Sequence, residues 1–327
     1  MRVLVDKYIP FVAEALQTVA DTETLEPSDF TPESVRDADA LFVRTRTHCD
    51  ARLLAESRIR FIASATIGFD HIDTDWCARR CVDGRPAPIF WTACPGCNAQ
   101  AVCDYVEEAI DEYIRETCTA DRGWHSLCLG VVGVGHVGLL VTQMAQCRGM
   151  KVLLNDPPKK IGVSLDEIAE KCDIITFHTP LIGNGLYPTR HLCNETFLSK
   201  CKPHALIINA ARGGVVDEQA LLRSGRPYIL DCWENEPNIH ADVLRGAFRA
   251  SWHIAGYSLE GKMNASQMCL DAFCKYFSLP TLKIQKKAVS LQMKKGDSER
   301  GWLQRISGQL KDFPDEFEHF RKNYTLR

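Results

Sequence analysis

The sequence predicts an α/β protein with two doubly wound, parallel-sheet domains and a short C-terminal region. The chain has 327 residues, which suits two domains of about 100–200 residues each. Short apolar runs of strand length alternate with helical patterns, and this alternation restarts near the middle of the chain at a glycine-rich turn. Such alternation favours parallel sheets covered by helices on both faces.

The first alternation occupies the N-terminal part of the chain. The apolar runs at residues 2–5, Ala40–Val43 and 61–65 have the length of buried strands, and helical patterns such as residues 11–19 separate them. Residues 83–88 contain one glycine and two prolines and are predicted to form a loop. We assign residues 1–97 and 255–280 to a substrate domain.

The second alternation follows a long helix predicted over residues 99–118. Val102, Val106 and Ile110 line one face of that helix, whereas acidic residues line the other. We assign residues 98–254 to a second domain and 281–327 to a short C-terminal region. Strands are predicted at residues 127–132, 151–155, 174–177, 205–209 and 228–231, and a last long helix over residues 261–277.

Composition and charge exclude several classes of protein. The chain is 45% hydrophobic and 25% charged, as is typical of globular proteins. Its 39 basic and 42 acidic residues give a net charge of −3, which argues against a nucleic-acid partner or a polybasic membrane anchor. The apolar stretch 127–141 is too short to span a bilayer, and the first ten residues lack the apolar core of a signal peptide. We therefore expect a cytoplasmic protein.

The chain contains 15 cysteines, which we expect to be reduced thiols because no export signal is recognised. Cys77, Cys81, Cys94 and Cys97 form C-x3-C and C-x2-C pairs separated by 12 residues, a spacing that a four-thiolate zinc site could use. Alternatively, the first two share a helix face and the last two flank a Pro-Gly turn. We favour this second interpretation, which requires no metal.

A glycine-rich turn opens the second alternation. Gly133, Gly135 and Gly138 lie in the G-x-G-x-x-G spacing between a predicted strand and a predicted helix. In such a turn the backbone approaches a pyrophosphate, and the helix N-terminus meets the phosphates. Asp156 ends the next strand, where a carboxylate can bind the ribose hydroxyls of NAD and would repel the 2′-phosphate of NADP. The pattern predicts a Rossmann-type, NAD-binding domain.

Three polar residues of the second domain are candidates for chemistry. Arg212, at the end of a predicted strand, can bind a carboxylate through two hydrogen bonds. His253 has the side chain best suited to take a hydroxyl proton near neutral pH, and Glu236 could orient it. The alternatives are a surface ion pair for the arginine and a structural role for the histidine, as we predict for His178.

The segments GVVGVGHVG, NDPP, FHTPL, NAARGGVVDE, DCWENEP and HIAGY, in this order, resemble the D-2-hydroxyacid dehydrogenase family. VRTRTHCD, ATIGFDHID, CPGCNAQAV, HIAGYSLEGK and FEHFRKNY resemble one branch of it. The resemblance implies NAD-dependent oxidation of 4-phospho-D-erythronate, a small phosphorylated 2-hydroxy acid, to 3-hydroxy-2-oxo-4-phosphobutanoate. That reaction belongs to the biosynthesis of pyridoxine and pyridoxal 5′-phosphate.

The resemblance also implies roles for matching positions. Arg212 would hold the substrate carboxylate, His253 would exchange the proton, and Glu236 would be the partner of that histidine. Further substrate contacts are implied for Thr45, Thr66 and Tyr257. Cofactor contacts are implied for Gly133, Gly135, His136, Val137, Gly138, Asp156, Thr179, Ala210, Ala211, Arg212, Asp231 and Gly256.

Two arginines directly follow the predicted strand Ala40–Val43. The guanidinium groups of Arg44 and Arg46 suit a phosphate dianion, and they would share one face if the strand continued through them. We therefore expect one or both to bind the substrate phosphate.

Two other functions stay open from the sequence alone. One is a dehydrogenase for another D-2-hydroxy acid, of the phosphoglycerate or hydroxypyruvate type. The other is an NAD-sensing binding protein without turnover, because a fold does not prove a function.

Residues 213–235 are few for the elements that they must form, which predicts a shortened helix and could displace Glu236. We also expect a homodimer that forms through the helix at residues 99–118.

Overall fold

The computed structural model describes residues 1–117, 123–284 and 301–324. They form two compact units, of which the first comprises residues 1–98 and 258–284 and the second comprises residues 99–257 and 301–324. Each unit is built on an open, mainly parallel sheet, so the predicted fold class is confirmed. Residues 301–324, which the sequence analysis placed in a separate terminal region, belong to the second unit instead.

The strands, in chain order, are β1 (Arg2–Asp6), β2 (Asp21–Leu25), β3 (Ala40–Val43), β4 (Phe61–Ser64), β5 (Cys81–Val82), β6 (Arg85–Pro86), β7 (Phe90–Thr92), β8 (Cys128–Val132), β9 (Lys151–Asp156), β10 (Ile161–Gly162), β11 (Ile174–Phe177), β12 (Leu206–Asn209), β13 (Tyr228–Leu230) and β14 (Arg249–Ala250). The helices are α1 (Val12–Leu16), α2 (Pro32–Val35), α3 (Ala51–Leu54), α4 (Thr74–Arg79), α5 (Ala99–Thr117), α6 (His136–Cys147), α7 (Leu165–Lys171), α8 (Glu195–Lys200), α9 (Glu218–Ser224), α10 (Ala241–Gly246), α11 (Leu259–Phe277), α12 (Trp302–Asp312) and α13 (Phe317–Asn323).

The first unit has a five-stranded parallel sheet in the order β2-β1-β3-β4-β7, which is the flavodoxin-like order. Strands β3 and β4 are buried along their whole length, because a sheet of this type is covered on both faces. Phe42 packs against Phe273 of α11 on one face, and Leu41 belongs to a separate apolar cluster on the other.

The second unit has a seven-stranded sheet in the order β10-β9-β8-β11-β12-β13-β14. All neighbouring strands are parallel except β10, which runs antiparallel to β9. The chain order reverses between β8 and β11. Ligands of open α/β sheets bind at such a switch point, outside the carboxyl ends of the strands. This topology therefore predicts a ligand site at the loops that follow β8 and β11.

The C-terminal helices complete the second unit. Trp302 of α12 packs edge-on against Tyr105 of α5, and Ser307 accepts a hydrogen bond of 3.0 Å from the backbone N–H of Ala250. The buried Glu112 of α5 pairs with Arg249 at 2.5 Å. Helix α5 is therefore largely covered by its own chain, and a homodimer formed through it stays a prediction. No helix in the described ranges is long and apolar enough to cross a membrane.

The structure corrects the sequence analysis of the first unit at a predicted loop and at the cysteines. Residues 83–88 are not simply a loop, because β5 and β6 pair as a short antiparallel hairpin around Asp83 and Gly84, which both have positive φ. The zinc site, which the sequence analysis did not favour, is not assembled, since Cys77 and Cys94 pack in apolar clusters on opposite faces of the first sheet. Cys77 and Cys81 do not share a helix face either, because α4 ends at Arg79 and Cys81 begins β5. Among the described residues, these cysteines do not bring three ligands together.

Candidate active site

Most of the predicted site residues lie at one edge of the second sheet. The parallel part of this sheet has the order β9-β8-β11-β12-β13-β14, so the carboxyl ends of these strands meet at the same edge. Each strand there ends at or just before a candidate residue. These are Asp156 after β9, Gly133 after β8, Thr179 after β11, Arg212 after β12, Asp231 after β13 and His253 after β14.

The three glycines of the turn after β8 have different surroundings. Gly133 has a φ of +91°, and an added Cβ would lie 2.8 Å from the carbonyl carbon of His178. At Gly138 an added Cβ would lie 2.0 Å from the carbonyl oxygen of Gly133, so the packing of helix on strand requires glycine. A Cβ at Gly135 would meet nothing within 4 Å. Gly135 also caps α6 without a side-chain hydrogen bond, which leaves helix N–H groups for an anion.

Asp156 holds the glycine turn in place. Its carboxylate accepts a hydrogen bond of 2.8 Å from the backbone N–H of Val134. Lys159 Nζ donates to the carbonyl of Val134 at 2.7 Å and lies 4.0 Å from Asp156 Oδ2. The sequence analysis overlooked this lysine. The carboxylate keeps acceptor positions that can serve ribose hydroxyls.

Two buried polar atoms near the turn lack a hydrogen-bond partner, namely Thr179 Oγ1 and His178 Nδ1. Burial lowers the pKa of His178 to about 3, so this histidine is neutral at neutral pH. Unpartnered buried polar atoms are uncommon and can mark a place where a ligand binds. Together with the glycine turn, the helix N-terminus and Asp156, they fit a dinucleotide.

Asp231 positions the loop that carries the candidate proton acceptor. It is 1% exposed, and its carboxylate accepts hydrogen bonds from the backbone N–H groups of Ile254 at 2.7 Å and Ala255 at 2.9 Å. The side chain of Ser251 donates to it at 2.6 Å. The loop after β14 is thereby anchored to the end of β13.

His253 and Glu236 form a close pair. Glu236 Oε2 lies 2.8 Å from Nδ1 of His253, and Glu236 Oε1 accepts a hydrogen bond of 2.8 Å from the backbone N–H of Trp233. His253 has a positive φ of 58°. The shortened segment does contain a short helix, α9, with seven residues. The short segment therefore leaves Glu236 beside His253, and the displacement of Glu236 considered from the sequence does not occur.

The surroundings favour a charged imidazole. The contact with Cys232 is the largest cause that raises the pKa of His253 well above its usual value; burial opposes it, and Glu236 and Asp231 add to it. The effect of Cys232 requires a thiolate, whereas burial raises the pKa of this thiol and favours its uncharged form. We therefore attribute the raised pKa of His253 to the carboxylates of Glu236 and Asp231. Burial would raise the pKa of Glu236, but the hydrogen bond and charge of His253, together with the N–H of Trp233 and the charge of Arg321, outweigh burial and lower that pKa.

Arg212 is exposed, and its Nη1 donates to the carbonyl oxygen of Ala211 at 2.7 Å. The side chain of Asn209 fixes the turn, because it accepts from the N–H of Ala211 at 3.1 Å and donates to the carbonyl of Arg212 at 2.9 Å. Within the described ranges no carboxylate pairs with this guanidinium. It is therefore available to an anionic ligand, which argues against the alternative of a surface ion pair.

The C-terminal helix brings an arginine that the sequence analysis did not assign. Burial would lower the pKa of Arg321 of α13, but its interactions with Tyr257 and Glu236 outweigh burial and raise that pKa. Trp252, next to the candidate histidine, stacks on Phe320 of the same helix with ring centroids 4.8 Å apart. The tail motif FRKNY was the sequence signal for this contact.

In the first unit, the predicted substrate residues lie at the carboxyl edge of the sheet. Strand β3 ends at Val43, and a backbone hydrogen bond from Thr47 to Arg44 closes a turn. The prediction that Arg44 and Arg46 share a strand face is therefore wrong. Thr45 and Arg46 are exposed on this turn. Thr66 follows β4, where its hydroxyl lies 2.6 Å from Ser64 Oγ.

Arg44 has a fixed position. Its Nε donates to Oδ2 of the buried Asp6 at 3.3 Å, and its guanidinium lies over the ring of Tyr8, 5.1 Å from the centroid. Lys262 of α11 is half-buried; burial lowers its pKa, and the nearby charge of Arg44 lowers it further. Arg44 is paired with Asp6, and the charge of Lys262 is added to that pair, so the surroundings of Arg44 carry a net positive charge. The sequence analysis missed Lys262, although it lies in the quoted segment SLEGK.

The chain is similar to known dehydrogenases along its whole length. The family model described as "D-isomer specific 2-hydroxyacid dehydrogenase, NAD binding domain" matches residues 107–252. The erythronate-4-phosphate dehydrogenase of Bacteroides fragilis is 42% identical, over 100% of this chain and 97% of that protein. The Bacteroides thetaiotaomicron enzyme of the same name is 40% identical with the same coverage.

Solved structures agree with this fold. The NAD⁺-bound 3-phosphoglycerate dehydrogenase of Entamoeba histolytica has a TM-score of 0.66 at 24% identity, over 87% of this chain and 98% of that one. The D-lactate dehydrogenase of Aquifex aeolicus, solved with NAD and lactic acid, has a TM-score of 0.60 at 24% identity, over 85% and 96%.

The doubly wound sheet, the dinucleotide turn and the His–Glu pair define a nicotinamide-dependent dehydrogenase. The chain belongs to the D-isomer specific 2-hydroxyacid dehydrogenase family, and the relatives that match it over its full length are erythronate-4-phosphate dehydrogenases.

Proposed function

We propose that this protein oxidises 4-phospho-D-erythronate to 3-hydroxy-2-oxo-4-phosphobutanoate with NAD, as a step in pyridoxal phosphate biosynthesis. The observation that carries the proposal is the His253–Glu236 pair, at 2.8 Å, on the sheet edge that also holds Arg212. The names of the full-length relatives support the substrate. A cytoplasmic homodimer is part of the proposal, and light scattering on the purified chain tests the dimer.

Glu236, His253 and Arg212 have separate roles in the proposed reaction. Glu236 holds Nδ1 of His253, which leaves Nε2 to accept the proton of the substrate hydroxyl at C2. Arg212 binds the substrate carboxylate and fixes the orientation of C2, and such positioning supplies a large part of catalysis. Bound NAD supplies the hydride acceptor. We propose that it is held by the glycine turn, Asp156 and Thr179.

A substrate panel tests this function. Purified protein with NAD is mixed with 4-phospho-D-erythronate, and in parallel with 3-phosphoglycerate, glycerate and unphosphorylated erythronate. NADH absorbance is recorded, and substrate consumption is measured in a second set with a 2-oxo acid present, in case the cofactor stays bound. Turnover confined to phosphoerythronate supports the proposal. Turnover with another acid alone would overturn the substrate, and turnover with none would favour a binding protein.

Replacing Gly135 by alanine should weaken NAD binding without unfolding the protein. The added Cβ meets nothing within 4 Å in the protein itself, but it points to a backbone segment that pyrophosphate must approach closely. We expect the NAD Kd to rise by about tenfold or more, with Tm changed by only about 1–4 °C. Calorimetric titration and thermal melts measure both. Gly183→Ala, also in open space, is the matched control, and equal NAD affinity in both variants would contradict the prediction.

Replacing Glu236 by glutamine should move the pH profile of kcat/KM. Oxidation needs neutral His253, so activity rises with pH through the raised pKa of this histidine. Without the Glu236 carboxylate that pKa falls, and the rising limb shifts to lower pH while kcat drops. Glu234→Gln is the control, because Glu234 pairs with a different histidine, His191, at 2.6 Å. An unshifted limb in the Glu236 variant would show that the pairing does not tune the histidine.

The substrate phosphate is proposed to bind at Arg44 and Lys262, while Thr45, Arg46, Thr66 and Tyr257 remain proposed substrate contacts. Loss of one charge-assisted hydrogen bond costs about 1.5–3 kcal/mol. Arg44→Ala and Lys262→Met should therefore each raise the KM for phosphoerythronate by about 10–100-fold, with little effect on unphosphorylated erythronate. Lys275→Met, an exposed position on the same helix, is the control. An unchanged KM in both variants would place the phosphate elsewhere, and Arg46→Ala tests the neighbouring cation.

A further inference from the structure

Cys232 lies beside the candidate catalytic pair but has no part in the proposed reaction. Its Sγ, a carboxylate oxygen of Glu236 and a ring nitrogen of His253 all lie within 4.8 Å of one another. No other set of three such donors comes together in the stretches of chain that the structure describes. The three residues come from loops that follow two adjacent strands, β13 and β14.

The donor set selects one class of ion. A thiolate, an imidazole and a carboxylate are the usual ligands of Zn²⁺ in proteins, whereas Mg²⁺ and Ca²⁺ require oxygen ligands. Three protein ligands leave the fourth tetrahedral position open to water. The remaining requirements are a preformed arrangement and a path of entry.

The arrangement is preformed and reachable. Glu236 is already held by the backbone N–H of Trp233 and by His253. Cys232 is 1% exposed, so its side chain is held in place by the surrounding protein. The side chain of His253 is 28% exposed, which offers an ion access from that side.

We propose that Cys232, Glu236 and His253 form a binding site for Zn²⁺, and that the bound ion inhibits the enzyme. The Cys232 thiol releases its proton to the solvent as the Zn–S bond forms. The charged imidazole of His253 also releases one proton to the solvent, and the freed nitrogen lone pair is donated to the ion. A histidine in that state cannot accept the substrate proton. Chelation of the ion restores the free imidazole, so the inhibition is reversible. Binding itself does not depend on the proposed dehydrogenase reaction; only the inhibition does.

Metal binding is measured directly on the full chain. Co²⁺ replaces Zn²⁺ as the spectroscopic probe, because a cobalt–thiolate bond adds charge-transfer absorption in the near ultraviolet. The Zn²⁺ affinity is then obtained by competition with a chromogenic chelator. We expect one strongly bound ion per chain, and at least about tenfold weaker binding in Cys232→Val and His253→Gln, since loss even of an outer-shell partner costs about 10–100-fold.

The controls separate this site from the other thiols. Cys81 and Cys147 are exposed, and Cys81→Ser and Cys147→Ser should leave the cobalt spectrum unchanged. Relative to its own metal-free rate, Cys232→Val should lose most of the sensitivity to Zn²⁺ that the wild type shows, whereas EDTA should restore the rate of the Zn²⁺-treated wild type.

Three results would overturn the proposal. They are the absence of a cobalt–thiolate band in the wild type, an unchanged Zn²⁺ affinity in Cys232→Val, and loss of the band in the exposed-cysteine variants. Thermal melts show whether Cys232→Val is folded; if it is not, Cys232→Ser and His253→Gln decide. If the chain shows no dehydrogenase activity at all, the cobalt and chelator measurements still decide whether the site exists.

Discussion

Replacing His253 by glutamine should reduce kcat for phosphoerythronate oxidation by about 10²–10⁴-fold, the contribution usual for a positioned acid–base group. Glutamine keeps a hydrogen-bonding side chain beside Glu236 but cannot accept a proton near neutral pH. NAD binding should stay within about twofold of the wild type, because the glycine turn and Asp156 are unchanged. Stopped-flow or steady-state NADH formation measures the first quantity, and calorimetric titration measures the second.

The control is His240→Gln, at an exposed histidine that makes no side-chain capping bond at the start of α10. It should retain full activity. A His253 variant with wild-type kcat across the pH range would refute the assignment of this residue as the proton acceptor. A variant that loses NAD binding as well would show that His253 supports the fold of the site instead.

Replacing Arg212 by alanine should lower kcat/KM by about 10²–10⁴-fold. Two charge-assisted hydrogen bonds to a carboxylate contribute about 3–6 kcal/mol together, and each 1.36 kcal/mol corresponds to a factor of about ten. Arg212→Lys should recover only part of this loss, because an ammonium group cannot bind a carboxylate in the bidentate manner. Steady-state kinetics with phosphoerythronate measure both variants.

Arg223→Ala is the matched control, since Arg223 is an exposed arginine whose ion pair with Glu195 spans 3.8 Å. Surface pairs of this kind contribute little, so kcat/KM should not change. If Arg212→Ala behaved like Arg223→Ala, the free guanidinium after β12 would have no role in binding substrate. The proposed orientation of C2 would then need another residue.

The parts of the fold that the sequence predicted correctly are those with strong local signals. Strands β3, β11 and β12 are fully buried and predominantly apolar, because both faces of the sheet are covered. Strand β2 was not predicted, because it lies at the sheet edge and reads DTETL with mostly exposed side chains. The β5–β6 hairpin was overlooked as well, although Asp-Gly between two short strands is a strong hairpin signal, since the nearby prolines suggested a loop.

The candidate site likewise combines interactions that the sequence could predict with others that it could not. The approach of Glu236 to His253 could be expected because both follow strands of one parallel sheet. The interaction of Arg321 with Tyr257 and the charge effect of Arg44 on Lys262 could not be expected, because each joins segments far apart in the chain without a spacing pattern. The prediction of a shared face for Arg44 and Arg46 was wrong because the strand ends at Val43 and continues through neither arginine.

The central claim is that a hydride passes from C2 of a phosphorylated 2-hydroxy acid to the nicotinamide while His253 takes the hydroxyl proton. The most direct measurement uses 4-phospho-D-erythronate carrying deuterium at C2, with the C3-deuterated compound as control, in a single turnover followed by mass spectrometry of the cofactor. We predict deuterium in the reduced nicotinamide from the C2-labelled substrate only, and an unlabelled 2-oxo product. Reduced cofactor without deuterium, or deuterium recovered in solvent, would contradict the mechanism.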